Sequence, residues 1–87
     1  MKFKDTLVLR DERFSIGIEL ESGRRYVSFP VSNGVVDYEE YYEVDSEEYE
    51  RFLINPGEAA GFVDECRRHT RDDLLMMKPG KNRGTPI

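Results

Sequence analysis

The chain reads as an α+β domain, an antiparallel sheet of about five strands with two helices on one face. Three observations predict it. Phe14, Ile16, Ile18 and Leu20 alternate with Ser15, Gly17, Glu19 and Glu21, the pattern of a strand with one buried and one wet face. Ser22-Gly23 and Asn33-Gly34 each separate two such runs, and these pairs supply the positive φ of tight hairpin turns. Beyond Val44 the apolar spacing changes to a helical one, so helices follow a block of strands rather than alternating with them.

Taken in order, Phe3 to Arg10 alternates weakly, with Phe3, Leu7 and Leu9 on one side. Asp11-Glu12-Arg13 makes a turn into the strand from Phe14 to Glu21. The third strand, Arg24 to Val31, contains Pro30, which removes a ladder donor and marks an edge or an end. The fourth runs from Val35 to Val44. Val36, Tyr38, Tyr42 and Val44 share its inward face, and Asp37, Glu39, Tyr41 and Glu43 face out. Strict alternation also puts Glu40 inward, a conflict that a bulge or an open edge would relieve.

Asp45 is placed to cap a helix, with Glu48 completing a capping box and Val44 and Tyr49 forming a hydrophobic staple. Tyr49, Phe52 and Leu53 give its inward stripe. Asn55-Pro56 ends that helix and starts another, with Asn55 as cap, Pro56 in the first turn and Glu58 repeating the box. Ala59, Phe62, Val63 and Cys66 keep helical spacing. Gly61 within the helix predicts close packing against a neighbour, since glycine there costs up to about 1 kcal/mol. Leu74 to Met77 reads as a short buried fifth strand. The element order is therefore strand-strand-strand-strand-helix-helix-strand, a single domain over residues 1–78. Residues 79–87, rich in Gly and Pro, read as a loop or tail, mobile unless it docks.

Composition narrows the function. At 87 residues with 36% charged side chains and a net charge of −5, the domain has a modest core and disfavours unaided binding to phosphate backbones or anionic lipid. Residues 1–63 carry seven bases against fourteen acids, and residues 64–87 six against four. One cysteine and one histidine fit neither a disulfide nor a usual zinc site, so no metal or cofactor is expected. No apolar run approaches a membrane span, and Met1 to Asp5 has two lysines with no apolar run behind them, so it does not read as a signal peptide and a cytoplasmic setting is expected.

The most biased stretch is Asp37 to Glu50, with eight acids, four tyrosines and no base. Asp45, Glu47 and Glu48 are accounted for by the first turn of a helix, where acids are favoured. Asp37, Glu39, Tyr41 and Glu43, with Glu40 and Glu50 in support, form either a solvated face or a docking patch for a basic partner. Tyrosines suit interface anchors, and clustered acids speed encounter with a basic surface. The acids lie along an open strand face and lack a calcium-loop pattern, so they do not suggest a catalytic pair or a metal.

Two other readings stand beside this one. Arg67, Arg68, Arg71, Lys81 and Arg83 could serve a small nucleic-acid-associated or regulatory protein if they gather on one face, although no aromatic interleaves them for base stacking. An enzyme would need a pocket joining Cys66 or His69 to an acid such as Asp72. Cys66 falls on an apolar stripe and His69 at a helix end, positions that suit a core side chain and a surface cation.

A short, acidic, single-domain chain with an Asp/Glu/Tyr-rich stretch and no catalytic motif resembles the small immunity proteins of bacterial toxin systems, including those of contact-dependent inhibition. The resemblance implies a non-enzymatic protein that binds a basic toxin or nuclease domain, its acids mimicking or blocking the substrate path.

Overall fold

The structure, a computed structural model, describes residues 1–87. Four strands follow one another as an antiparallel meander: β1 (Phe3–Leu9), β2 (Phe14–Glu19), β3 (Arg25–Ser32) and β4 (Asp37–Val44). Helix α1 (Ser46–Ile54) and helix α2 (Ala60–Arg67) come next, joined by a 3-10 turn at Pro56–Ala59. A second 3-10 turn, Asp72–Leu74, leads to β5 (Thr85–Pro86). The architecture is α+β, as the alternation and hairpin signals predict.

The meander is built by its turns. Gly23 and Gly34 take φ of 74° and 87°, the left-handed region that glycine enters without steric cost. Asn33 adds an Asx turn, its Oδ1 accepting from the Val35 and Val36 amides at 2.9 and 3.0 Å. Glu19 organises the other hairpin. It was expected on a wet face, yet its carboxylate is buried and accepts from the amides of Lys2, Glu21 and Ser22 and from Ser22 Oγ at 2.6 to 3.0 Å. The strand stops there, leaving Leu20 exposed instead of inward.

These hydrogen bonds, the Ser22 hydroxyl first, hold the Glu19 pKa at about 2, against about 4.3 in an unfolded chain. The folded value is the lower one. The stabilisation is therefore present above the unfolded pKa and is lost as pH falls through about 2. Urea midpoints measured across that acid range should fall less steeply for Glu19→Gln than for the wild type. Parallel curves would show that the charge on this carboxylate does not matter.

One face of the sheet carries both helices. Phe14, Ile16, Val27, Phe29, Val31, Tyr42 and Val44 pack against Tyr49, Phe52, Ala59, Phe62, Val63 and Cys66. The entry into α1 is as predicted: Asp45 Oδ1 accepts from the Glu48 amide at 2.7 Å and Glu48 Oε1 accepts from the Asp45 amide at 3.1 Å. The second capping box does not form. Asn55 makes no side-chain cap, and Pro56–Ala59 is a 3-10 turn before α2 begins. Gly61 has no neighbour within 4 Å of where a Cβ would sit, so the close packing expected of it is absent.

Three expectations are corrected at the chain's ends. The register shifts between Asp5 and Leu7, a bulge that turns Leu7 and Leu9 to the helices but sends Phe3 to the opposite face. Leu74–Met77 is not a strand. It holds a 3-10 turn and a single bridge, Tyr42 to Leu75, with the Met76 amide donating to the Tyr41 carbonyl at 2.9 Å. The fifth strand comes instead from the segment read as a tail. Beyond the start of β2, β3 has a free side, and there Thr85 and Pro86 pair with Ser32 and Val31. Gly84 allows that approach, because a Cβ on it would lie 2.7 to 2.9 Å from the Ser32 backbone.

Arg83 anchors the segment. Its guanidinium donates to Glu40 (Nε to Oε2, 2.8 Å; Nη2 to Oε1, 3.1 Å), to Asp72 (Nη1 to Oδ2, 2.7 Å; Nη2 to Oδ1, 3.0 Å) and to the Tyr42 hydroxyl at 3.1 Å. The Tyr42 hydroxyl in turn donates to Glu40 Oε1 at 2.8 Å. The inward placement of Glu40 is thus resolved by a buried counter-ion. The register of β4 against β3 is unbroken from Asp37 to Val44.

Candidate functional site

The face of the sheet opposite the helices carries the acid-tyrosine stretch. Alternation along β4 places Asp37, Glu39, Tyr41 and Glu43 there, opposite Ser32, Pro30, Ser28 and Tyr26 of β3. Gly17 lies next to Tyr26 on β2, and Asp5 next to Gly17 on β1. Because Gly17 has no side chain, the Tyr26 ring lies across it and donates its hydroxyl to Asp5 Oδ1 at 2.7 Å. Phe3 and Tyr41 close over this floor. Their rings stack with centroids 3.6 Å apart, and each meets Tyr26 edge-on at 5.4 and 4.9 Å. Two strands separate β1 from β4, about 14 Å at ordinary strand spacing, so the sheet curls towards this side.

The result is a second, small aromatic core with an acidic rim. Tyr26 is fully buried, whereas Phe3 and Tyr41 are half-buried. Burial raises the pKa of Glu39, and the Asp5 charge raises it further. Ser28 Oγ, buried and without a well-formed hydrogen bond, lies close enough to Glu39 to pull the other way. Tyr41 is also pushed up, by burial and then by Glu39 and Asp5. Asp5, Asp37 and Glu39 have no cation within 4.0 Å. Glu43 does, accepting from Arg24 Nη2 at 2.7 Å and Nε at 3.1 Å.

Of the six residues expected to form the patch, four share this face: Asp37, Glu39, Tyr41 and Glu43. Glu40 is corrected. Its carboxylate is buried on the helical side and engaged by Arg83 and Tyr42, so it is not a surface acid. Glu50 is exposed but rides on α1, in the other layer. The reading missed Phe3, Asp5 and Tyr26. A glycine inside a strand is the signal that could have found them, since it marks a close approach from above.

The alternative sites take a different shape. Arg67 Nη2 donates to the carbonyls of Glu12 and Arg13 at 2.9 and 3.2 Å, Arg71 pairs with Glu65, and Arg83 is held by Glu40 and Asp72. Three of the five bases are thereby engaged inside the domain. Cys66 is fully buried, and burial pushes its thiol up to about 12, far from a thiolate nucleophile. His69 is exposed at the end of α2.

No protein-family model matches this chain, and neither does any curated protein or solved structure. No helix is long and apolar enough to cross a membrane.

Proposed function

We propose that the curled, helix-free face docks a basic protein, and that the chain acts as a non-enzymatic inhibitor of a basic toxin or nuclease domain in the cytoplasm. One observation carries this reading. A half-open Phe3–Tyr41 stack is bordered by Asp5 and Glu39, with Asp37 further along the same face of β4, and no base of the chain neutralises those three acids. A lysine or arginine of the partner would supply the missing charge and lie on the ring faces, where a cation gains about 0.5–2 kcal/mol. Asp37, Glu39 and Tyr41 make that contact, and Glu43 joins through its pair with Arg24. Uncompensated acids on an open face also steer a basic partner to it, raising the association rate more than the affinity.

The test is a pull-down from the native cell at low and moderate salt, followed by inhibition assays on the captured protein. The wild type should retain one basic protein stoichiometrically and suppress its activity. Asp37→Lys with Glu39→Lys should lower retention at least about tenfold, because like charges across an interface cost several kcal/mol. Glu50→Lys, on the other layer, should retain it fully. Equal retention by all three proteins would overturn the reading.

A further inference from the structure

At one end of the helix-free face, beyond the aromatic core, lies an open groove of about 360 Å³ lined by Val8, Arg10, Arg13, Ser15, Pro30 and Glu39 among others. That volume is at the small end of ligand pockets, about 300–1,000 Å³. Its position follows from the register. Val8, Ser15 and Ser28 form one cross-strand row, and Pro30 and Glu39 form the next, where β2 has already turned away through Arg13.

Three independent features converge there. Arg10 and Arg13 make no ion pair or side-chain hydrogen bond within the chain, although the domain is acidic overall. Across the groove Glu39 is half-buried and also without a cation. Finally, Arg13 holds a φ of 61°, uncommon for a residue with a side chain, and Arg67 fixes that turn through the carbonyls of Glu12 and Arg13.

Two free guanidinium groups ask for a carboxylate. A half-buried carboxylate without a cation asks for a donor, best a cationic one. The separation of plus and minus across one groove disfavours a simple anion, which Glu39 would repel. We propose that this groove binds a compact zwitterion of the α-amino-acid class, its carboxylate on Arg10 and Arg13 and its ammonium against Glu39. Val8 and Pro30 leave room for a short apolar side chain. The groove shares Glu39 with the docking face, but its arginines lie outside the docking residues and can be changed without touching them.

The test is an amide-resolved NMR titration of the full chain with L-leucine, 4-methylpentanoate and isopentylamine. The last two each lack one charge of the first. L-leucine should give saturable shifts confined to Val8–Ser15 and the Pro30–Glu39 row. Each single-charge probe should bind about tenfold or more weakly, since a charge-assisted hydrogen bond contributes about 1.5–3 kcal/mol. Arg10→Gln with Arg13→Gln should weaken L-leucine binding by about tenfold or more at an unchanged melting temperature, because both side chains are exposed and unpaired. Glu39→Gln should weaken L-leucine but not 4-methylpentanoate. The proposal is overturned by an absence of saturable shifts, by equal binding of L-leucine and 4-methylpentanoate, or by a double arginine variant that binds like the wild type.

Discussion

Arg83→Met is expected to remove about 3–5 kcal/mol of folding stability, the usual cost of leaving a buried charge without its partner. Glu40 is only 4% exposed and Arg83 18%, so water replaces little of what the guanidinium gives. The arginine also bridges to Asp72, whose carboxyl it holds below its ordinary range, and its own pKa is raised by Asp72 and then Glu40. A domain of this size has about 5–10 kcal/mol in total, so the melting temperature should fall by more than about 10 °C. Adding Glu40→Leu to the same chain should recover most of the loss, because a buried pair replaced by apolar groups is often neutral. Urea denaturation of the single and double variants checks both parts. A single variant within about 1 kcal/mol of wild type would mean that the pair is not what holds residues 83–87 to the sheet.

Gly17→Ala is the second large effect. A methyl group there would sit 2.6 Å from Tyr26 Cζ and also against the Lys4 carbonyl oxygen. The ring cannot swing out without breaking its hydrogen bond to Asp5 and opening the Phe3–Tyr41 stack. The carbonyl belongs to the β1 backbone and cannot swing at all. Overpacking of this kind costs about 1–3 kcal/mol or more, and an immovable neighbour puts this site at the upper end. Hydrogen exchange should show β1 amides from Phe3 to Asp5 losing protection first, while α1 and α2 keep theirs. A fully protected β1 in Gly17→Ala would contradict the packing described.

How far the sequence reveals this molecule depends on whether a feature is local. The Asp45–Glu48 box and the two Xaa-Gly turns lie within a few residues of the structure they make, and they form as read. The four-strand meander follows from them, because each hairpin fixes the register of the next strand. Leu74–Met77 misleads because an apolar run without alternation does not distinguish a strand from a buried connection. The true fifth strand is two residues long and includes Pro86, so it carries no strand signal at all. Its place is decided by the empty side of β3. The Arg83–Glu40 pair spans 43 positions, yet half of it was visible: an acid on an apolar face needs a partner. The acidic face was legible along β4, where alternation sorts the acids, but not across it. The Asp5 bulge and the Tyr26 ring over Gly17 depend on strands meeting in space.

The reach from Glu40 to Arg83 also sets a clock during synthesis. With 43 positions from one to the other and elongation at about 5–20 residues per second, Arg83 is made roughly 2–9 s after Glu40. Until Arg83 follows, β4 carries an acid on its inward side with nothing to neutralise it. The nascent sheet can pair its strands, which takes microseconds to milliseconds. It cannot seal the region around Tyr42 without burying a bare carboxylate. The acid therefore acts as a built-in delay, keeping one end of the core open to water until the residue that closes it has been made.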